Sequence, residues 1–408
     1  MSEKEKVVLA YSGGLDTTTI IPWLKEHYDY DVICCCVNVG QGEELDGLEE
    51  RALYSGASKL YIEDVVDEFC EDFIMPCVQA GAVYENKYLL GTSMARPLIA
   101  KKLVEVARKE GAVAICHGAT GKGNDQVRFE LGIKALAPDL KIIAPWRCNE
   151  TWNMQSREDE IAYCEAHGIK LPFSTDSSYS RDRNLWHISH EGLELEDPAC
   201  APNYEHLLVL SVSPEKAPDE AEELSLTFEK GVPVALNGKP MKVSEIITAL
   251  NTLGGKHGIG IVDIVENRVV GMKSRGVYET PGGTILMEAH KQLEELITDR
   301  DTFAFKKIVA TRYSDVVYEG KWFTPLREAL QAFIQSTEET MTGEVKMKLY
   351  KGNIIKQGTT SPYSMYSESL ASFTTGELYD HHDAEGFINL FGLSLKVRAM
   401  VKNNNETK

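Results

Sequence analysis

Residues 7–18 of the chain read VVLAYSGGLDTT, and this stretch decides the fold. Val7 to Tyr11 is a short apolar run, which predicts a buried strand. The run leads into Ser12-Gly13-Gly14, where glycine permits backbone conformations that are closed to other residues. Residues 17–27 then follow helical spacing. A buried strand, a glycine turn and a helix in this order predict the first unit of a parallel α/β sheet.

The alternation of strand and helix continues to about residue 168. Apolar runs predict further strands at 32–39, 59–62, 112–116 and 141–144, and periodic segments predict helices at 43–58, 65–78, 93–110 and 156–167. The expected class is therefore α/β, with an N-terminal nucleotide-binding domain built on a parallel sheet. Ligands bind beyond the carboxyl ends of such strands, so the loops after Tyr11, Val39 and Cys116 are expected to carry the chemistry.

The pattern changes in the second half of the chain. Residues 171–183 are rich in Pro, Ser and Asp and predict a linker or lid, and residues 213–223 predict a surface loop. Helices are expected at 243–253 and 284–298, and strands at 260–265, 345–350 and 353–357. These elements predict a second α+β domain. The expected domains are 1–168, 169–362 and 363–408, the last a C-terminal helical oligomerisation tail whose segments 366–372 and 387–401 dock on another subunit.

The net charge and the pattern of cysteines limit the binding partners and the cellular compartment that the sequence predicts. The 408 residues include 43 Lys and Arg against 62 Asp and Glu, a net charge of −19, which argues against nucleic acid and anionic membranes as partners. No apolar run reaches membrane-spanning length, and residues 1–6 lack a signal-peptide core. The nine cysteines include no Cys-x-x-Cys pair. We expect reduced thiols in a cytoplasmic protein.

The glycine turn predicts an anion site. Backbone N–H groups at Gly13 and Gly14, together with the start of the helix, can bind phosphate. Ser12, Thr17 and Thr18 add hydroxyl groups. Asp16 is unusual beside an anion unless it serves a phosphate-bound Mg²⁺ ion or stabilises the turn. The stretch is neither a Walker A loop nor a dinucleotide fingerprint, and phosphate binding is favoured over a simple packing turn.

A second loop, residues 117–128, reads HGATGKGNDQVR and follows the predicted strand 112–116. Lys122 offers a point charge for phosphate, and Asp125 can accept a hydrogen bond from an amine. Arg128 can bind a carboxylate through its planar fork. Asn124 offers both a donor and an acceptor. The loop can therefore serve an anion, an amine and a carboxylate together, while His117 is either a phosphate contact or a structural histidine.

The first loop resembles the pyrophosphate loop of the N-type ATP pyrophosphatases, whose fold is of the adenine nucleotide α-hydrolase type. The second loop narrows the resemblance to the argininosuccinate synthase family. Residues 88–97, 184–189, 263–268 and 271–281 also resemble that family. The similarity covers nearly the whole chain. It implies that the ureido oxygen of citrulline attacks the α-phosphorus of ATP, releasing pyrophosphate, and that aspartate then displaces AMP to give argininosuccinate for arginine biosynthesis.

The resemblance also assigns residues to the three substrates. The nucleotide positions are Ala10, Tyr11, Ser12, Gly13, Gly14, Leu15, Asp16, Thr17, Thr18, Val37 and Gly118. The citrulline positions are Tyr88, Ser93, Asn124, Arg128, Ser180, Ser189, Glu266 and Tyr278. The aspartate positions are Thr120, Asn124 and Asp125. Asp16, Lys122 and Asp125 are the catalytic candidates, and we expect them to act through positioning and charge stabilisation because both nucleophiles are substrate atoms.

The partners implied are small molecules and copies of the same chain. The family binds ATP as its Mg²⁺ complex and is typically a homotetramer, and no protein-bound metal is expected. His381-His382 with Asp383 resembles a metal pair only superficially, because no third or fourth ligand stands at the usual spacing. A docking turn or a helix N-cap is the favoured interpretation of that segment.

Three alternatives remain at this stage. A tRNA-modifying adenylating enzyme of the same superfamily would have a basic surface and a catalytic cysteine pair. A glutamine-dependent amidotransferase would need a glutaminase domain, for which there is no room before Val7. A nucleotide sensor without catalysis is disfavoured by the intact Ser12, Asp16, Lys122, Asp125 and Arg128, but sequence does not exclude it.

Overall fold

The structure, a computed structural model, describes residues 4–121, 123–148, 150–154, 156–169, 179–371 and 380–406. The chain forms two compact units, residues 1–363 and 364–408. None of the helices in the described ranges combines the length and the apolar character that a membrane span requires.

The first part of the larger unit is built on five parallel strands in the order β3-β2-β1-β4-β5. Its elements in chain order are β1 (Lys6–Ala10), α1 (Leu15–Tyr28), β2 (Asp31–Asn38), α2 (Leu48–Tyr54), β3 (Lys59–Asp64), α3 (Val66–Glu68), α4 (Met75–Ala80), α5 (Gly91–Glu110), β4 (Ala114–Cys116), α6 (Asp125–Leu136), β5 (Lys141–Ile143) and α7 (Arg157–Ala166). The order reverses at β1, between its neighbours β2 and β4. Such a switch point places a ligand cleft at the carboxyl end of β1.

Both faces of this sheet are covered by helices. Val7 and Leu9 of β1 pack with Ile20 and Leu24 of α1 in one buried cluster. Val8 points to the other face and joins a second cluster, which includes residues of α5. Alternation of side chains along a strand produces this division, and burial on both faces explains why the strand is apolar throughout. The predicted parallel sheet with helices on both faces is therefore confirmed.

The rest of the larger unit contains two antiparallel sheets. Their order is β11-β12-β7-β6 in one and β10-β9-β8-β13-β14 in the other. The elements are β6 (Ser180–Arg183), β7 (Ile188–Glu191), α8 (Tyr204–Leu207), β8 (Glu222–Glu229), β9 (Val232–Leu236), β10 (Lys239–Pro240), α9 (Val243–Lys256), β11 (Ile261–Asn267), β12 (Lys273–Glu279), α10 (Pro281–Ile297), α11 (Arg300–Tyr318), α12 (Pro325–Glu338), β13 (Gly343–Tyr350) and β14 (Asn353–Thr360). This mixture confirms the predicted α+β character.

Several predicted boundaries are wrong. The linker expected at 171–183 ends in β6, whose polar residues show no apolar alternation but pair with β7; residues 170–178 lie outside the described ranges. The helix expected at 43–58 is reduced to a 3₁₀ turn and α2, because Gly47 takes a φ of 69° before α2. The helix expected at 65–78 is interrupted by a π-helical segment, Phe69–Ile74. The surface loop expected at 213–223 ends where β8 begins.

The smaller unit contains α13 (Glu368–Ala371), α14 (His381–Phe391) and α15 (Leu393–Glu406). The side chain of Asp380 accepts a hydrogen bond from the backbone N–H of His382 at 2.9 Å and so caps α14. The two histidines therefore lie in the first turn of a helix. Within the described ranges, no group of three or more His, Cys, Asp and Glu side chains is placed to hold a metal ion.

Candidate active site

A cleft of about 610 Å³ opens at the carboxyl edge of the parallel sheet, where β1, β2 and β4 end. Ala10 and Val37 lie at the ends of β1 and β2, Gly118 lies shortly after β4, and all three line the cleft. One wall comes from the β11-β12-β7-β6 sheet, in which Tyr278 is opposite Ser189 and Ser189 is opposite Asp182. Directly opposed residues present their side chains on the same face. The two sheets thus bring residues from both halves of the chain to one cleft.

The glycine turn after β1 is held open for a ligand. Gly13 has a φ of 76°, and a Cβ there would lie 2.1 Å from Cδ2 of Leu48, so only glycine fits. Arg51 donates a hydrogen bond from Nη1 to the Gly13 carbonyl at 2.6 Å. Gly14 caps α1 without a side-chain hydrogen bond. The first N–H groups of α1 therefore remain available to an anion in the cleft.

Asp16, in the first turn of α1, faces a second carboxyl group. Glu160 of α7 is 2% exposed. Burial, together with the charge of Asp16 and a hydrogen bond to it, raises the pKa of Glu160 to about 9. Burial and the neighbouring Asp16 thus favour the protonated form of Glu160.

Asp125, at the start of α6, lies between two guanidinium groups. Arg96 of α5 donates to it from Nε at 3.0 Å and from Nη2 at 2.8 Å, and Arg128 donates from Nη1 at 3.2 Å. Burial raises the pKa of Asp125, but the two arginines outweigh it and the net shift is downward. Arg96 also contacts Asp182 at 3.0 Å. Asp125 is thus firmly ionised, and it fixes both arginines.

A buried polar cluster stands beside this ion-pair group. The Tyr278 hydroxyl donates to Oε1 of Glu266 at 3.0 Å, and the rings of Tyr88 and Tyr278 are 4.5 Å apart. Burial raises the pKa of Glu266 from its ordinary value. Oε2 of Glu266 and Oγ of Ser93 are buried without a hydrogen-bond partner among the described residues. Buried polar atoms are nearly always paired, so these two atoms indicate where a ligand would bind.

The structure brings most of the sequence-predicted residues into this cleft. Those that line it are Ala10, Tyr11, Ser12, Gly14, Leu15, Asp16, Thr17, Val37, Tyr88, Gly118, Thr120, Asn124, Asp125, Arg128, Ser180, Ser189, Glu266 and Tyr278. Gly13, Thr18 and Ser93 lie just behind the surface; Thr18, for example, is hydrogen-bonded to the Tyr11 hydroxyl at 3.3 Å. Lys122 lies outside the described residues. His117 is fully buried and stacks on Phe129, with a ring-centroid distance of 5.6 Å, which favours its structural interpretation.

Sequence reasoning missed several residues of the site. Three of these residues have charged partners that are distant in the chain, namely Arg96, Asp182 and Glu160. A fourth, Tyr318 of α11, accepts a hydrogen bond from Asn124 at 2.9 Å. Arg96 alone offered a signal, because it lies within residues 88–97, which already resembled the family. Among the described residues, the cleft is lined by six arginines and five carboxylates, namely Arg96, Arg128, Arg157, Arg181, Arg183 and Arg268 against Asp16, Asp125, Asp182, Glu191 and Glu266. This local balance suits an anionic ligand on a chain whose net charge is −19.

Comparisons with known proteins agree with this geometry. Residues 6–170 match the family model described as the arginosuccinate synthase N-terminal HUP domain, and residues 179–398 match the arginosuccinate synthase C-terminal domain. A protein named argininosuccinate synthase from Lachnoclostridium phytofermentans is 83% identical over 397 residues, covering 97% of this chain and 98% of that protein.

Two further relatives carry the same name. The one from Agathobacter rectalis is 80% identical, covering 97% of each chain, and the one from Acetivibrio thermocellus is 62% identical over the full length of both. These full-length matches favour the synthase over a tRNA-modifying enzyme of the superfamily. With both halves matched by the same family's models and relatives at this level of identity, the chain belongs to the argininosuccinate synthase family.

Proposed function

We propose that the cleft catalyses the ATP-dependent ligation of citrulline and aspartate in two steps. In the first, the ureido oxygen of citrulline bonds to the α-phosphorus of ATP, and the bond from that phosphorus to the bridging oxygen of pyrophosphate breaks. In the second, the amine of aspartate bonds to the activated carbon, which releases AMP with the former ureido oxygen and a proton from the amine. The products are argininosuccinate, AMP and pyrophosphate.

The observation that carries this proposal is the meeting of three kinds of subsite in one cleft. The start of α1 offers unpaired N–H groups for phosphate. Glu266, with a free buried oxygen, offers an acceptor for an ammonium group. Arg128 and Arg96 offer guanidinium groups for carboxylates. An ATP-consuming ligase of two amino acids requires all three, side by side.

At the nucleotide end, the turn from Ala10 to Thr18 would hold the phosphates, with Val37 near the base and Gly118 also on the nucleotide. ATP would enter as its Mg²⁺ complex, the ion arriving with the nucleotide. Asp16 lies in the first turn of α1, beside the phosphate position, and its carboxyl group would offer an oxygen to that divalent cation.

At the citrulline end, the α-ammonium group would bind Glu266, and the hydroxyls of Tyr88, Ser93, Ser180, Ser189 and Tyr278 would surround the polar remainder. Ser189 and Tyr278 are directly opposed on neighbouring strands, so their side chains face the ligand together. Arg128 would bind the α-carboxylate. Because Arg128 is already oriented by Asp125 at 3.2 Å, little further ordering is needed on binding.

At the aspartate end, Thr120, Asn124 and Asp125 would bind the second amino acid, with Asp125 near its amine. Asp125 keeps its charge because Arg96 and Arg128 favour the ionised form. Asp16, Asp125 and Lys122 would stabilise charge and hold the reacting atoms in line. Positioning of this kind can supply roughly 7–11 kcal/mol of the barrier reduction.

We also propose a homotetramer in the cytoplasm. The helices α14 and α15 expose a long series of apolar side chains, namely Phe387, Ile388, Leu390, Phe391, Leu393, Leu395, Val397, Met400 and Val401. Exposed apolar surface of this extent is typical of protein–protein contacts. None of the nine cysteines, all of which lie in the described ranges, forms a disulfide bond, which suits a reducing compartment. Sedimentation of the full chain should give the tetramer mass, and a monomer mass would refute this assembly.

One assay tests the function. Purified protein with Mg²⁺-ATP should release AMP and pyrophosphate in equal amounts only when citrulline and aspartate are both present. Citrulline alone should support exchange of labelled pyrophosphate into ATP. Release of ADP, or turnover that does not depend on citrulline, would overturn the proposal.

A further inference from the structure

Tyr318 lies at the C-terminal end of α11, between the second loop and the β11-β12 strands. It is 1% exposed. Its ring stacks on Tyr84, with a centroid distance of 3.5 Å, and the guanidinium carbon of Arg128 lies 4.9 Å from the ring centre. A tyrosine held on both faces in this way can turn only its hydroxyl group to neighbouring polar atoms.

The hydrogen bonds around that hydroxyl have a defined direction. The backbone N–H of Val269 donates to Oδ1 of Asn124 at 2.9 Å, and a backbone N–H can only donate, so the oxygen of the amide must face Val269. The amide nitrogen of Asn124 then donates to the Tyr318 hydroxyl oxygen at 2.9 Å. The hydroxyl hydrogen of Tyr318 is consequently directed away from Asn124.

The same residue also orients Arg128. The Nε of Arg128 donates to the backbone carbonyl of Tyr318 at 3.0 Å. Two residues further on, Gly320 has a φ of 76°, and a Cβ there would lie 2.8 Å from the Cα of Arg128. The end of α11 is therefore packed directly against the start of α6. One short segment therefore sets the orientation of an amide and a guanidinium group in the cleft.

We infer that Tyr318 is a positioning residue for the amino-acid subsites, because its hydroxyl oxygen orients the Asn124 amide and its backbone carbonyl orients Arg128. This rests on the proposed function, which places aspartate at Asn124 and the citrulline carboxylate at Arg128. The hydroxyl oxygen accepts from Asn124 and so keeps the amide oriented for aspartate. The backbone carbonyl holds Arg128 independently of the hydroxyl.

The test is Tyr318→Phe, which removes the hydroxyl and keeps both the ring beside Arg128 and the backbone carbonyl. Tyr313→Phe is the matched control, because Tyr313 is fully buried on the same helix and donates instead to Gln331 at 2.5 Å. Steady-state kinetics would give KM for each substrate. Calorimetry would give Kd for aspartate and for citrulline in the absence of ATP, and melting temperatures would compare stability.

In Tyr318→Phe we expect KM for aspartate to rise about tenfold, since the Asn124 amide loses a buried partner. KM for ATP should stay within about twofold, and KM for citrulline should rise less than KM for aspartate, because the variant keeps the backbone carbonyl that holds Arg128. Tyr313→Phe should retain the wild-type values at a similar or lower melting temperature. If the wild type makes AMP and pyrophosphate as proposed but Tyr318→Phe leaves KM for aspartate unchanged, the inference is wrong. Equal rises in KM for all three substrates would also overturn it, because they would indicate general damage. A wild type that fails to use citrulline refutes the proposed function itself, and the inference with it.

Discussion

Replacing Glu266 with Gln keeps the shape of the side chain and removes its charge. In the proposed complex Glu266 meets the citrulline α-ammonium group with Oε2, while Oε1 already accepts a hydrogen bond from Tyr278 at 3.0 Å. The side chain is 4% exposed, so water screens the interaction little. A hydrogen bond to a charged group in such a place contributes about 1.5–3 kcal/mol. We therefore expect KM for citrulline to rise roughly 10- to 150-fold in Glu266→Gln.

The pH dependence gives a second signature of the same residue. Burial raises the pKa of Glu266 above its ordinary value, so protonation begins at a higher pH than for an exposed glutamate. Because only the ionised carboxyl group pairs with an ammonium group, citrulline affinity in the wild type should improve as the pH rises through the pKa of Glu266. Glu266→Gln has no such group, and this step in affinity should be absent.

The assay is initial-rate kinetics with citrulline, aspartate and ATP varied in turn between pH 5 and 8. Glu191→Gln is the matched control, because Glu191 also lines the cleft but pairs with Arg268 at 2.6 Å. The control should keep the citrulline step. A KM for citrulline within about twofold of the wild type in Glu266→Gln, or an equal rise in KM for ATP, would refute the assignment.

Three further outcomes are expected. Asp125→Asn should raise KM for aspartate about tenfold or more, while the rate of citrulline-dependent pyrophosphate exchange should fall much less. Equal losses in both assays would contradict the role of Asp125 at the aspartate end. Burial and Asp16 raise the pKa of Glu160 to about 9, so the wild type should lose stability as the pH rises from 4.5 toward 9. In urea unfolding at pH 8, Glu160→Gln should therefore be about 1–3 kcal/mol more stable than the wild type. A variant less stable than the wild type would contradict a protonated Glu160 beside Asp16. Gly13→Ala should raise KM for ATP and lower stability by about 1–3 kcal/mol, because its methyl group would lie 2.1 Å from Leu48, and unchanged ATP kinetics would contradict the tight turn.

The parts of the site that lie within one loop could be predicted from the sequence. Ser12-Gly13-Gly14 follows an apolar strand directly, so a short stretch contains both the turn and its helix. The contacts that complete the site join distant segments: Asn124 and Tyr318 are 194 residues apart, and Thr92 and Asp182 are 90 apart. The spacing of residues within a short stretch of sequence cannot predict such long-range contacts.

The polar strand β6 was missed for a related reason. Ser180–Arg183 has no apolar alternation, and its extended form is stabilised by pairing with β7. The helix expected at 43–58 shows the opposite error, because its periodic pattern hides the interruption at Gly47. Helical spacing of apolar residues predicts which face of a helix is buried, but the backbone conformation at a single glycine decides where the helix starts.

The central claim is that the ureido oxygen of citrulline attacks the α-phosphorus of ATP, and oxygen labelling tests it most directly. Citrulline carrying ¹⁸O in the ureido group would be converted in the presence of Mg²⁺-ATP and aspartate, and the products would be weighed by mass spectrometry. The account requires one ¹⁸O atom in the phosphate of each AMP and none in pyrophosphate or argininosuccinate. Unlabelled AMP, or label in pyrophosphate, would contradict it.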